Sequence, residues 1–298
     1  MSLPYACRSD HKVPIIYRVT RLRDGKSFAT RSVVATQHGK AIFSAGESQL
    51  ATEPVATSAL TLQLAAVISS HIACSHFRLL LPCRAEIQYH IGEESVISHQ
   101  CKMPVVPPPE SLPNMQEHYK RVMSDPRLHP SVAPRIEKYL HAPFPIDVRP
   151  CKAVDYFSPV PQEDARTQVW LRCTEDLGPA VTANVATQHA ERFLHTAAVT
   201  YASDWSLAST MLLPHGLNFG STRLSMIASL DHVLYFAAGV TFRADEWMLF
   251  DLESPVLRGA RGLNIGRIFT RDGILIATCI QEALVRVRTP ATAALPPT

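Results

Sequence analysis

Runs of β-branched and aromatic residues separated by turns mark the start of the chain. Val13–Arg23 is a β-rich run that meets a turn at Asp24–Gly25. A second run, Ser27–Gln37, ends at His38–Gly39, and a third starts at Lys40. Asp-Gly between such runs is a hairpin signal, because glycine accepts the positive φ that a tight turn requires. The pattern predicts three consecutive antiparallel strands.

The other end of the chain repeats this layout. Trp247–Leu252 and Gly262–Thr270 are strand-like, and a turn at Asp272–Gly273 leads into a third run, Ile274–Val287. Two similar three-strand units at opposite ends of one chain suggest a duplicated domain.

More structure is predicted before the second unit than before the first. Two strand candidates, Ile146–Val154 and Thr167–Cys173, are followed by a helix with Asn184 as N-cap, and then by a long strand, Leu224–Phe236. The apolar face of that helix is predicted to comprise Ala186, Ala190, Phe193, Leu194, Ala197 and Tyr201. Only 12 residues precede the first unit, which is too few for a helix and its flanking strands. The first copy is thus expected to be truncated.

The middle of the chain lacks the strand pattern found at either end. Residues 51–100 are rich in Ala, Ser and Leu without clear alternation, and Pro104–Pro113 contains five prolines, typical of a stiff extended connector. A short polar helix is predicted at Met115–Ser124, and the linker should end near Pro143. Val55–Phe77 has 23 residues without a formal charge, but nine of them are Ser, Thr, Gln or His. A spanning helix needs about 20 predominantly apolar residues, so no membrane span is predicted.

Composition and charge argue against several classes of function. Of 298 residues, 46% are hydrophobic and 18% are charged, which allows a sizeable core. The net charge of +3 is spread along the chain, whereas nucleic-acid binding would require clustered Lys and Arg. Seven cysteines without CxxC spacing are typical of reduced, intracellular thiols. Because HExxH and Cys/His clusters are absent from the sequence, we expect no zinc site.

Three polar positions stand out in otherwise apolar segments. Asp204 follows the apolar face of the long helix, where it is either a functional carboxylate or a polar residue at the helix end. Gln281 follows an apolar strand, and a buried amide without partners costs about 1–3 kcal/mol. Pairing with a carboxylate across the core would satisfy Gln281, and the alternative is a strand-end position at the solvent boundary.

The third position, Ser229, lies in the segment Ile227–His232. Simple alternation places Ser229 and Asp231 on one face of this strand and His232 on the other. Asp231 and His232 would then not form a catalytic dyad, and His232 is interpreted as a packed or surface histidine. The sequence contains no GxSxG elbow, Walker loop or dinucleotide fingerprint. The glycines at 259, 262 and 266 are interpreted as turn and bulge residues.

Several segments that match in the same order make the chain resemble the acyl-CoA thioesterase II family of double-hotdog enzymes. The matching segments are Pro14–Phe28, Tyr201–Asp204, Ile227–His232, Phe242–Trp247, Glu253–Pro255, Arg261–Leu263, Gly266–Gly273 and Gln281–Glu282. The resemblance covers about 13–50 and 101–288. It implies an α+β double hotdog whose second hotdog is complete and whose first is truncated at its N-terminus.

The resemblance also implies a domain plan: 1–50 as a remnant of the N-terminal hotdog, 51–100 as an atypical insert, 101–142 as the linker, 143–290 as the C-terminal hotdog and 291–298 as a tail. It further implies a catalytic trio of Asp204, Ser229 and Gln281 that activates water for direct attack on a fatty acyl-CoA thioester. Asp204 would serve as base or anchor, and Gln281 and Ser229 would fix the water's lone pairs. Neither a metal nor another cofactor is expected, and a homo-oligomer is compatible with the family.

The sequence departs from the family in three places. It lacks about sixty residues at the front, it carries the segment 51–100 where relatives connect directly, and it ends Leu-Pro-Pro-Thr rather than in a peroxisomal Ser-Lys-Leu-type signal. An inaccurate gene model would explain the first two departures. The resemblance implies a peroxisomal location, with the cytoplasm as the alternative. A non-catalytic CoA-ester-binding module and an enoyl-CoA hydratase are the rival functions.

Overall fold

One mixed sheet organises the fold. A computed structural model of the chain describes residues 13–24, 29–49, 83–88, 96–130, 133–141, 145–152, 157, 161–178, 185–218, 221–237 and 239–288. Its strands are β1 (Ile16–Asp24), β2 (Ala29–Gln37), β3 (Lys40–Gln49), β4 (Cys83–Gln88), β5 (Ile146–Pro150), β6 (Arg166–Cys173), β7 (Leu224–Ser229), β8 (Asp231–Phe236), β9 (Met248–Arg258), β10 (Arg261–Thr270) and β11 (Leu275–Val287). Its helices are α1 (Met115–Met123), α2 (Ala133–His141) and α3 (Val185–Ala202), with 3-10 helices η1 (Pro109–Ser111) and η2 (Ala208–His215). The strand order is β1-β2-β3-β4-β8-β11-β10-β9-β6-β5, and β7 also pairs with β11.

Both predicted three-strand units are present as antiparallel meanders. Strands β1, β2 and β3 pair in sequence, and so do β9, β10 and β11. The predicted turn at His38–Gly39 is confirmed, with φ of 50° and 71° at the two residues. Strand β9 runs beyond its predicted end to Arg258, and β5 ends at Pro150. The turn predicted at Asp24–Gly25 falls partly in 25–28, which the described ranges omit.

The segment 51–100 contributes a strand that its composition did not indicate. Strand β4 runs parallel to β3 on one side and to β8 on the other, so it joins the two meanders into one sheet. Residues 51–82 and 89–95 are outside the described part of the chain, and Val55–Phe77 is among them. Of the helices that are described, none combines the length and apolarity required to cross a membrane.

The prediction of one continuous strand over Leu224–Phe236 is wrong. Ser229 of β7 is opposite Ala283, and Val233 of β8 is opposite Ile280. Four steps along this edge therefore match three steps along β11, which is the signature of a β-bulge. A bulge shifts the alternation by one residue, so Ser229 and His232 lie on the same face of the sheet. The predicted separation of these two side chains is also wrong.

Helix α3 begins at Val185, next to the predicted N-cap, and packs against the sheet. Of its predicted apolar face, Ala197 and Tyr201 pack against the core, whereas the side chain of Leu194 is 47% exposed. His195, which was not predicted on this face, is 1% exposed. Buried Val199 and Ala202 belong to the same apolar core as the inner side chains of β6, β9, β10 and β11. His195 is accommodated because Nδ1 accepts the Ala244 amide at 3.1 Å. The hydrophobic pattern alone could not reveal that pairing.

The proline-rich linker covers the opposite face of the sheet. The indole Nε1 of Trp170 donates to the Pro107 carbonyl at 2.9 Å, and Trp170 packs with Trp247 and Leu249 against linker side chains. Helix α1 confirms the predicted polar helix and begins with an Asn114 capping box. Helix α2 was not predicted. This arrangement leaves the α3 face of the sheet for the candidate site.

Candidate active site

Asp204 occupies the turn between α3 and η2, above the inner face of the sheet. The Ser203 amide still donates to the Val199 carbonyl at 2.8 Å, so the helical path continues almost to this carboxylate. Asp204 itself is half-buried. A carboxylate in such a place needs hydrogen-bond donors from neighbouring elements.

Gln281 of β11 supplies that donor. Its Nε2 donates to Asp204 Oδ1 at 2.6 Å, and its side chain is completely buried. Hydrogen bonds to a carboxylate are stronger than those between two neutral groups. The expected pairing of Gln281 with a carboxylate is thus present, and it joins α3 to the centre of the sheet.

A second contact of the same amide nitrogen brings in a residue that the sequence did not single out for this site. Gln281 Nε2 lies 3.1 Å from His232 Nδ1, and His232 Nε2 lies 2.8 Å from Ser203 Oγ. Ser203 Oγ in turn donates to the Thr200 carbonyl at 2.8 Å. Asp204, Gln281, His232 and Ser203 therefore form one buried polar chain between α3, β11 and β8.

Asp231 maintains the bulge that brings His232 to this face. The extra residue removes a backbone acceptor opposite Glu282, and the Glu282 amide donates instead to Asp231 Oδ1 at 2.8 Å. The Leu230 amide donates to the Glu282 carbonyl at 2.8 Å. Because a carboxylate replaces the missing carbonyl, the bulge leaves the Glu282 amide hydrogen-bonded.

Ser229, the third predicted site residue, lies on the same face but is less closely joined. Its register partner is Ala283, two residues beyond Gln281 on β11. Diagonal neighbours in a sheet are about 7–8 Å apart at Cα. Among the hydrogen bonds of the described residues, none links Ser229 to Gln281. Two of the three predicted residues, Asp204 and Gln281, are thus joined by a hydrogen bond. Ser229 provides a neighbouring hydroxyl on the same face of the sheet.

Asn264 adds a further buried amide to the site. It is directly opposite Gln281 on β10 and is fully buried. Its Nδ2 makes long contacts, 3.4 Å to the Gly262 carbonyl and 3.3 Å to the Gln281 carbonyl. Asn264 Oδ1 and Gln281 Oε1 are buried acceptors that have no hydrogen-bond partner among the described residues. Unsatisfied acceptors are uncommon in protein interiors, and a bound water or a catalytic role is among the explanations for such a group.

Cys279, two residues before Gln281, is not a nucleophile in this site. Burial, with an added contribution from the Asp204 charge, raises the pKa of its thiol above the ordinary value. Its Sγ lies 3.9 Å from the Ser203 carbonyl, where a neutral S–H can donate. Within the ranges that the structure describes, no group of three His, Cys, Asp or Glu side chains is placed to hold a metal ion.

Comparison with protein families gives two matches along the chain. The model of the acyl-CoA thioesterase C-terminal domain matches residues 109–285, and that of the N-terminal domain matches residues 1–50. Mouse acyl-coenzyme A thioesterase 8 is 30% identical over 279 residues, which are 94% of this chain and 70% of the mouse protein. Acyl-CoA thioesterase 2 of Haemophilus influenzae is 25% identical over 284 residues, covering 93% of this chain and 75% of the bacterial protein.

Solved structures agree with these matches. Acyl-CoA thioesterase II TesB2 from Mycobacterium marinum is 30% identical, with a TM-score of 0.58 over 96% of this chain and 79% of that chain. A hotdog-fold protein from Alicyclobacillus acidocaldarius is 14% identical, with a TM-score of 0.51 over 92% of this chain and 74% of that chain. The second likeness shows the fold alone. The predicted α+β hotdog fold is confirmed, and the chain belongs to the acyl-CoA thioesterase family.

Proposed function

We propose that this protein hydrolyses fatty acyl-CoA thioesters to free fatty acid and CoA by direct attack of water. The observation that carries the proposal is the 2.6 Å hydrogen bond between Gln281 Nε2 and Asp204 Oδ1. This hydrogen bond joins two of the polar residues identified by the family resemblance, which are 77 positions apart in the sequence. Membership of the acyl-CoA thioesterase family supports the substrate class.

The hydrogen-bond pattern suggests how the attacking water is held. Both N–H groups of Gln281 are directed at Asp204 and His232, so the remaining function of this amide is that of an acceptor at Oε1. In our proposal, a water that reaches this buried acceptor when the site opens for substrate donates one hydrogen to Gln281 Oε1 and the other to the Asp204 carboxylate. A lone pair of the water oxygen then faces the thioester carbonyl. This differs from the sequence-based expectation that Gln281 would fix the water's lone pairs.

Asp204 acts as the general base in this proposal. As the new C–O bond forms, Asp204 takes a proton from water, and the thioester carbonyl becomes a tetrahedral oxyanion. Collapse of that intermediate breaks the C–S bond, and the proton passes from Asp204 to the CoA sulfur. General-base catalysis of this kind contributes about 10²–10⁴-fold to a rate. Ser229 is assigned the supporting role of a hydroxyl that orients the water or the carbonyl.

A thiol-release assay tests the activity. The purified chain is incubated with a medium-chain or long-chain acyl-CoA, and free CoA is measured with a colorimetric thiol reagent in parallel with free acid. We expect equimolar CoA and acid. Acyl-CoA binding without thiol release would favour a non-catalytic binding module. Loss of enoyl absorbance from crotonyl-CoA without thiol release would favour a hydratase.

Location and assembly remain predictions that separate measurements can address. A peroxisomal location requires co-localisation of a tagged full chain with a peroxisomal marker, and diffuse cytoplasmic signal would support the alternative. A homo-oligomer requires a solution mass that is a multiple of the 32.9 kDa chain, as measured by light scattering. A mass of one chain would reject self-association.

A further inference from the structure

We propose that His232 and Ser203 are positioning residues that hold the Gln281 amide in its working orientation. This inference rests on the proposed thioesterase function, because it concerns how that site is kept in register. Neither residue belongs to the trio suggested by the family resemblance. Both are buried, with 5% exposure for His232 and none for Ser203.

The direction of each hydrogen bond follows from the Asp204 charge. Exchanging the two ends of the Gln281 amide would place its oxygen 2.6 Å from Asp204 Oδ1, which is repulsive for an ionised carboxylate. The nitrogen therefore occupies that position, and it also lies 3.1 Å from His232 Nδ1. An amide nitrogen only donates, so Nδ1 has to accept and must carry no proton.

The other ring nitrogen of His232, Nε2, has a hydrogen-bond partner that agrees with this assignment. A neutral His232 without a proton on Nδ1 carries its proton on Nε2, which lies 2.8 Å from Ser203 Oγ. Ser203 has a single hydroxyl proton and donates it to the Thr200 carbonyl at 2.8 Å. Ser203 can therefore accept from His232, and the hydrogen bonds from Gln281 through His232 and Ser203 to the Thr200 carbonyl all run in the same direction. The end of α3 thus selects the imidazole tautomer that accepts from Gln281.

This selection matters because it fixes which Gln281 atom meets the water. With Nδ1 as acceptor, both Gln281 N–H groups are directed and Oε1 is held at the inner face of the sheet beside Asn264. A His232 tautomer with a proton on Nδ1 would oppose the amide nitrogen and favour rotation of the amide. Rotation of the amide would move Oε1 away from the water, and Asp204 would lose the hydrogen bond that Gln281 Nε2 donates to it. Small displacements of such groups cost up to about 10²-fold in rate.

Two substitutions at position 232 separate the hydrogen bond from ring packing. His232→Phe retains an aromatic ring but removes the acceptor, and we expect kcat to fall about 10- to 100-fold with KM changed less than about threefold. His232→Asn places an amide oxygen near the former Nδ1, so we expect it to recover a substantial part of the lost kcat. Equal kcat for His232→Phe and the unmodified protein would overturn the inference, as would an Asn variant no better than Phe.

Ser203→Ala tests the tautomer selection through a double-mutant cycle. Alone it should lower kcat severalfold, because His232 loses the Ser203 hydroxyl, an acceptor that favours the proton on Nε2. In the His232→Asn background there is no Nε2 to hold, so Ser203→Ala should have little further effect on kcat. Fully additive losses would mean that the two residues act independently and would contradict the proposal.

Nitrogen NMR of the histidine-labelled protein provides a readout that does not depend on turnover. The His232 signal, identified by its loss in the His232→Asn variant, should show the Nε2-protonated neutral tautomer and should shift toward a tautomer mixture in Ser203→Ala. A Nδ1-protonated or charged ring in the unmodified protein would overturn the inference. Failure of the unmodified protein to release thiol would instead reject the proposed function. If His232→Phe does not fold, the Ser203→Ala and NMR measurements still decide the question.

Discussion

Replacing Gln281 by leucine removes the amide at the centre of the site while nearly conserving its size. The substitution deletes the 2.6 Å hydrogen bond to Asp204 and the 3.1 Å contact with His232. It also deletes Oε1, which has no hydrogen-bond partner among the described residues. We therefore expect a small loss of stability and a large loss of catalytic rate.

For stability, two acceptors lose a donor and one unsatisfied acceptor disappears. The loss of one donor to a buried acceptor costs up to about 1–3 kcal/mol, and Asp204 falls at the low end because it is half-buried and can be hydrated. Removing the unsatisfied Oε1 offsets part of this cost, so we expect a net loss of about 1–2 kcal/mol. Each kcal/mol of lost stability lowers the melting temperature by about 2–4 °C.

For catalysis the loss should be much larger. Gln281 orients both the base and the water, and removal of one preorganised polar group at a reacting centre typically lowers kcat by about 10²–10³-fold. The assay is steady-state thiol release from one acyl-CoA, measured beside thermal unfolding of the same preparation. Gln281→Leu should thus be folded but nearly inactive.

Gln168→Leu is the matched control. It removes the same kind of bond, from Gln168 Nε2 to Asp251 Oδ1 at 2.8 Å, on the face of the sheet that the linker covers. Asp251 keeps its two hydrogen bonds from Arg166, so the loss of stability should be similar or smaller. We expect kcat to be unchanged in this variant. A Gln281→Leu protein that retains near-normal kcat, or a Gln168→Leu protein that loses it equally, would refute the reasoning.

Three further expectations concern packing, thiol chemistry and the route of the reaction. Gly266→Ala should lower the free energy of unfolding by about 1–3 kcal/mol, because the added Cβ would lie 2.3 Å from Phe250 Cε2; an unchanged chemical-denaturation midpoint would contradict this. Burial raises the pKa of Cys151 to about 11, so at pH 8 only about 0.1% of that thiol is ionised. Exposed Cys101 should therefore be alkylated much faster than Cys151 in the native protein, as mass spectrometry of timed samples would show, and equal rates would be inconsistent with that burial. A single turnover in ¹⁸O-labelled water should place one ¹⁸O in the fatty acid and none in Asp204, whereas label in Asp204 would indicate an acyl-enzyme.

Local pattern was sufficient to predict most of the sheet. Both meanders follow from alternation and turn residues, and β6, α1 and α3 were also predicted from the sequence. The segment 51–100 gave no comparable signal, because β4 pairs with β3 and β8 on both sides and its position depends on those distant partners. Helix α2 was likewise missed, as the prolines around it favour an irregular linker.

The site was predicted only in part, for a specific physical reason. A buried glutamine demands a partner, which made the contact between Gln281 and a carboxylate foreseeable. The contribution of His232 was not, because a single bulge reverses the alternation on which side-chain direction is judged. The bulge depends on Asp231 replacing a backbone acceptor of Glu282, a tertiary hydrogen bond that local pattern does not encode.

Thiol release by Asp204→Asn tests the central claim most directly. Asparagine conserves the size of the side chain and can still accept from Gln281 Nε2, so the fold and acyl-CoA binding should persist while the general base is lost. We expect kcat to fall by about 10²–10⁴-fold relative to the unmodified protein, with little change in melting temperature. Near-normal thiol release by a folded Asp204→Asn protein would show that Asp204 does not activate the water and would contradict the account.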